Sequence, residues 1–393
     1  MSGVRSGARR LLVLALVSVF PARIPARPPA IPPGIDLAIR NCILIDGTGS
    51  PPVRDAVLLI GEGRVLAAGP AAAVGIPPGS RVLDLDGAAV LPGFVNAHVH
   101  YALDEERLAR WLESGVTSVR DMSSFGMPPA EVARWRARTR ERPDLARLYA
   151  VGPMITVPGG YGSSFVSTPA EARAAVDRIA DAGLDAVKAS LEDGYAGVSG
   201  LPQFDDATLD ALVAAAKARG LRVTMHVTEA RFLRRAVLAG VDELAHIAWD
   251  RVDPDTWRRA VSAGILLIPT FSVFRSYGAP VQSCVANLRA FRLAGGRVAL
   301  GNDYGGGPGE FEGGIPMFEI ECMLAAGMTP MEVITACTRT SAEACAADRE
   351  IGTLEPGKLA DLIVVRGDPL SDPGVLRDPV LVMKEGRIAA DRR

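Results

Sequence analysis

The sequence predicts an α/β protein: a (β/α)8 TIM-type barrel with a small β-sandwich domain built from both chain ends. Three observations predict it. Through the middle of the chain, an amphipathic helical stretch ends at a glycine, a short β-branched run follows, and a polar residue closes the unit. Those polar residues sit where barrel enzymes gather reactive groups, at strand C-terminal ends. Both chain ends instead read as alternating strands joined by turns. Doubly wound sheets share the strand–helix alternation, so the placement of the polar residues is what favours a barrel.

The opening differs from everything after it. "MSGVRSGARR" is basic, "LLVLALVSVF" is apolar, and "PARIPARPPAIPPG" is too proline-rich to continue a helix. Residues 1–30 read as a secretory signal and a Pro-rich spacer, so the chain is expected to be exported, periplasmic or secreted. The apolar run falls short of the ~20 residues of a membrane span, so no stable span is expected in the mature protein.

Residues 35–94 supply the first part of the sandwich: "IDLAIRNCILIDG", "AVLLIGEGRVLAAG" and "RVLDLDGAAVLPG". Residues 95–350 carry the barrel. Its expected strands are "FVNAHVH", "VTSVRDM", "LYAVGPMIT", "DAVKAS", "RVTMHV", "ELAHIA", "ILLIPTF" and "RVALGND". Gly115, Gly183, Gly220, Gly240, Gly264 and Gly296 suit left-handed helix caps. "STPAEA" offers Thr168 as an N-cap with Pro169 in the first turn and Glu171 beyond. Residues 351–393 return to strands, and "LVMKEGRIAA" echoes "LLIGEGRVLAA", each a hairpin signal around Glu-Gly-Arg.

Composition narrows the function. A net charge of −2 with interspersed signs argues against nucleic acid or a polybasic membrane surface. Aromatic residues are only 5%, so stacking platforms are not an obvious theme. The five cysteines form no CxxC pair, which excludes zinc-ribbon and thioredoxin sites; they read as small buried hydrophobes, with one disulfide open to an exported chain.

The chemistry lies in the histidines. His98 and His100, two apart on a strand, point to one face and can address one ion. The chain has only four histidines, and the other two, His226 and His246, close strands 5 and 6. Asp303 closes strand 8, and Lys188 stands in the apolar run "DAVKAS". Four imidazoles, a carboxylate and an amine suit Zn²⁺ or a similar divalent metal. A turn role for Asp303 and a buried ion pair for Lys188 are the plainer readings.

With these residues in view, the chain resembles the metal-dependent amidohydrolase superfamily. "LPGFVNAHVH" is similar to its strand 1 signature, "GTLEPGKLADLIVVRGDPL" to its exit from the barrel, and "NCILIDGTG" to its opening. Within it, the chain resembles the imidazolonepropionase-like branch, and more narrowly the prolidase-type members with a carboxylated lysine. The resemblance implies two divalent metal ions, zinc foremost. His98, His100 and Asp303 would hold one, His226 and His246 the other, and carboxylated Lys188 would bridge them. Asp303 would be the catalytic base and then acid. The implied reaction is hydrolysis of an amide-type C–N bond in a small molecule, a Xaa-Pro-like dipeptide or an N-acyl amino acid. Alternatives are a hydrolase or deaminase of a cyclic or aromatic amide, xenobiotics included, and a non-catalytic scaffold. Relatives imply a homo-oligomer. Substrate contacts are expected from Tyr161, where many relatives carry histidine, from Tyr195, and from Arg275, which could grip a carboxylate bidentately.

Overall fold

The computed structural model describes residues 34–194, 198–305 and 314–393. The proposed signal segment and Tyr195 lie outside the described residues. Among those described, no helix is long and apolar enough to cross a membrane.

Five strands open the chain: β1 (Leu37–Leu44), β2 (Val53–Gly61), β3 (Arg64–Pro70), β4 (Val82–Asp84) and β5 (Ala89–Pro92). Ten follow: β6 (Phe94–Val99), β7 (Val116–Asp121), β8 (Arg147–Ala150), β9 (Ile155–Thr156), β10 (Ser164–Phe165), β11 (Ala186–Leu191), β12 (Arg222–Val227), β13 (Glu243–Ala245), β14 (Leu266–Ile268) and β15 (Arg297–Val298). Three close it: β16 (Leu362–Val365), β17 (Leu381–Lys384) and β18 (Arg387–Asp391).

The chain ends share one hydrogen-bonded sheet, ordered β18-β17-β16-β5-β1-β2-β3, with β4 beside β1. Its covalent turns explain the repeated Glu-Gly-Arg. Glu62 and Gly63 have φ of 52° and 74°, and Glu385 and Gly386 have 50° and 72°. Two successive left-handed residues make the turn whose twist matches a hairpin. The two turns also touch: a Cβ on Gly63 would lie 3.0 Å from the Glu385 carbonyl oxygen.

Each of the eight expected middle strands is present, the third split into β8 and β9. All pairings among them are parallel. Two further bonds complete the succession: Asp185 N–H donates to the Ala150 carbonyl (3.0 Å), and Ala97 N–H to that of Leu300 (2.8 Å). Helices separate the strands, and their apolar stripes pack on the sheet. Thr168 caps the helix Pro169–Asp181 as its sequence indicates, accepting from Glu171 N–H. One glycine differs: the left-handed residue before β15 is Gly295 (φ 93°), whereas Gly296 lies against the Phe291 ring. All five cysteines are buried free thiols.

Candidate metal centre

Strand parity sets the candidate residues. His98 lies on β6, and His100 lies just beyond its end. Lys188 is on β11, His226 on β12, and His246 follows β13. Asp303 comes after β15, in left-handed backbone (φ 53°), with its N–H bonded to the His98 carbonyl at 2.9 Å. Gly301 permits this approach, because a Cβ there would stand 2.6 Å from the His98 Cβ.

These side chains converge. The Nε2 atoms of His98 and His100 lie 3.0 and 2.9 Å from Asp303 Oδ1. Neither contact has hydrogen-bond geometry, and Asp303 Oδ1 is left unpartnered, as are Nδ1 of His98 and of His100. One ligand atom each from His98, His246 and Asp303 falls within 4.8 Å of the others. The Lys188 amine is 3.5 Å from His98 Nε2, and His226 Nδ1 is 3.0 Å from His246 Nε2. Two imidazole nitrogens that meet one carboxylate oxygen at these distances without a hydrogen bond suit a shared cation. The donor set therefore fits a divalent metal.

Electrostatics agree with that fit. Burial holds the pKa of His98 and His246 well below the imidazole range, which favours the neutral form that offers lone pairs. Burial alone would raise Asp303, but three imidazoles hold it well below the usual carboxylate range. Burial lowers Lys188 to about 7, against the opposing pull of Asp303.

Sequence reasoning missed three residues here. Glu192 is buried, and its Oε2 lies 3.1 Å from His226 Nε2 while accepting from the Thr228 hydroxyl. With Nε2 turned to Glu192, the lone pair of His226 is Nδ1, facing His246. The Thr270 hydroxyl contacts His246 Nδ1 and leaves Nε2 for the centre. Asp121 closes β7 behind His100; burial raises it to about 6, against two backbone N–H bonds from Ala102 and Ser123. A signal for Glu192 existed. It stands four residues after Lys188, so strand alternation puts both on one face.

The expected substrate contacts divide. Tyr161 stands beside the centre, its ring 4.7 Å from that of His226. Tyr195 lies outside the described residues. Arg275 is exposed and stacks on Phe318, 3.8 Å from guanidinium to ring centre. Its helix turns Phe274 toward His246 instead, with ring centres 6.3 Å apart.

The model of the amidohydrolase family matches residues 89–389, spanning every residue of this centre. The chain belongs to the amidohydrolase family. This amidohydrolase is a hydrolase acting on C–N bonds, in a family that generally binds metal ions. It is 27% identical to an imidazolonepropionase of Symbiobacterium thermophilum, over 84% of this chain and 89% of that one. Its fold matches a Xaa-Pro dipeptidase with methionine in the active site, at TM-score 0.78 and 24% identity, covering 90% and 99% of the two chains. It also matches molinate hydrolase, at TM-score 0.74 and 23% identity, covering 90% and 94%.

Proposed function

We propose that this amidohydrolase is an exported, binuclear metal-dependent enzyme that hydrolyses the amide bond of a dipeptide or an N-acyl amino acid. The carrying observation is the convergence of His98, His246 and unpartnered Asp303 Oδ1 beside buried Lys188. His98, His100 and Asp303 would hold one ion, and His226 and His246 the other. Such ions supply hydroxide at neutral pH and polarise a carbonyl. Lys188, with its ammonium destabilised by burial, is a neutral amine over much of the physiological range. It can take up carbon dioxide, losing a proton, and so add a bridging anion to the set. Asp303 would take a proton from the attacking water and return it to the leaving amine. The bonds from the last parallel strand back to the first support a closed (β/α)8 barrel over residues 95–350. Residues 35–94 and 351–393 would then form the β domain. Export rests on the character of residues 1–30.

A second reading is a hydrolase of a cyclic or aromatic amide. The stacking of Arg275 on Phe318 favours it. Elemental analysis of protein expressed with zinc and bicarbonate tests the first. About two metals per chain, falling to one or none in Lys188→Ala, supports the bridged centre. About one metal, unchanged by that substitution, moves the enzyme to the second reading.

A further inference from the structure

Two aromatic residues at the edge of the centre are held in backbone they should avoid. Tyr101 and Phe125 have φ of 56° and 46°. Bulky side chains rarely adopt that region, and such strain collects at functional sites. In the β-rich chain ends, left-handed non-glycine backbone falls on Asn41, Asp55, Glu62, Asp86 and Glu385, short polar or turn residues. Packing does not repay the strain at the aromatic pair, because Tyr101 is 43% exposed and Phe125 55%.

Their position is specific. The rings stack on one another, with centres 4.8 Å apart and planes 19° apart. Phe125 continues onto the His100 ring at 5.2 Å. Arg107 braces the other member, its guanidinium 5.6 Å from the Tyr101 ring centre and donating to the Tyr101 carbonyl. The side chains of His100 and Asp303 keep 16% and 13% exposure, whereas that of His98 has none. Solvent therefore reaches the centre on the His100 side, where the aromatic pair stands.

We propose that Tyr101 and Phe125 form an aromatic ledge that binds a flat apolar group of the substrate, next to the amide bond presented at His100 and Asp303. The substrate class is an amide with an aromatic substituent on its acyl or amine side. This rests on the hydrolytic reading of the centre. A ring met edge-on or offset by the ledge gains stacking and buries the half-exposed faces.

The test is calorimetric titration of zinc-loaded Asp303→Asn, which blocks turnover. The probes are N-acetyl-L-phenylalanine, N-benzoyl-L-alanine and N-acetyl-L-alanine. At least one aromatic probe should bind roughly tenfold tighter than N-acetyl-L-alanine. Adding Phe125→Gly or Tyr101→Gly should abolish that preference while leaving Tm unchanged or higher, since glycine relieves the backbone. Absence of a preference, including binding of none of the probes, overturns the ledge. So does a preference that survives both glycine substitutions, or a fall in Tm without change in preference. Turnover separates the two readings. If the zinc-loaded wild type cleaves none of the probes although the preference holds, the N-acyl amino acid reading fails and the ledge stands. If it cleaves N-acetyl-L-alanine and no preference exists, the ledge alone falls.

Discussion

The two ends of strand β13 treat buried charge in opposite ways. At its start, Glu243 is fully buried and satisfied. One oxygen accepts from Arg120 (2.7 Å) and Thr224 (2.7 Å), and the other faces Arg222 at 3.4 Å. Arg120 also donates from Nε to the Ala97 carbonyl and from Nη1 to that of Ala344. Just past the strand's other end, His246 joins a group in which Asp303 Oδ1 meets the Nε2 atoms of His98 and His100 without a hydrogen bond. Glu243 is wholly enclosed and satisfied, whereas Asp303 keeps 13% exposure and its Oδ1 has no hydrogen bond. A closed polar network holds a fold together, whereas an open one is built for something that arrives later.

Breaking the closed end should give the largest effect. Arg120→Met strands Glu243 and two carbonyls, and should cost roughly 3–5 kcal/mol of stability, read by denaturant unfolding. A loss under about 1 kcal/mol would mean the network is not a structural element. At the open end, Asp303→Asn should cut kcat/KM by about 10²–10⁴-fold with the fold intact, checked by kinetics and circular dichroism. Substantial residual activity would remove Asp303 as the base.

Glu192→Ala sharpens the contrast, because Glu192 reaches the centre through His226. Zinc affinity should fall roughly 10–100-fold, measured by chelator competition, with Tm of the metal-free protein little changed. Equal affinity would reduce Glu192 to packing.

A fourth test concerns a satisfied acid elsewhere. Burial raises Glu319 to about 7, although it accepts from Ser272 and the Phe271 and Ser272 N–H groups. Between its ordinary value and about 7, the folded state binds the proton that the unfolded state has lost. The contribution of Glu319 therefore falls as pH rises through that window. Wild type should lose roughly 1–3 kcal/mol relative to Glu319→Gln between pH 4.5 and 7.5. A constant difference would contradict the raised pKa. The smallest expected effect is Lys188→Met in metal-free protein, neutral or stabilising by about 1 kcal/mol, since it removes a poorly paired buried amine. Marked destabilisation would place Lys188 with the closed network.

The same contrast explains what was legible in the sequence. Period-two alternation and glycine-ended helices exposed the strands, and scarcity singled out the histidines. Those signals are local. The Arg120–Glu243 pair joins β7 to β13, and no local pattern announces such a partnership. Glu192 had a local signal in its parity with Lys188, masked by the turn-like "EDG" that follows. Tyr101 and Phe125 were illegible for a physical reason: propensity assigns left-handed backbone to Gly, Asn and Asp, so aromatic residues there contradict the rule that would find them. Arg275 shows the limit of local reading, because a guanidinium stacked on Phe318 and one free to clamp a carboxylate look alike in sequence.

The joint sheet has a consequence for how the molecule is made. Strand β5 pairs with β16, so residues 89–92 bond to residues 362–365. A ribosome delivers β5 long before β16 exists. Through most of synthesis β5 is an unguarded edge carrying Ala89, Val90 and Leu91, all fully buried once the sheet is complete. Completion of the sheet thus waits on a segment far along the chain, and a chain cut short before Leu362 would leave that apolar edge uncovered.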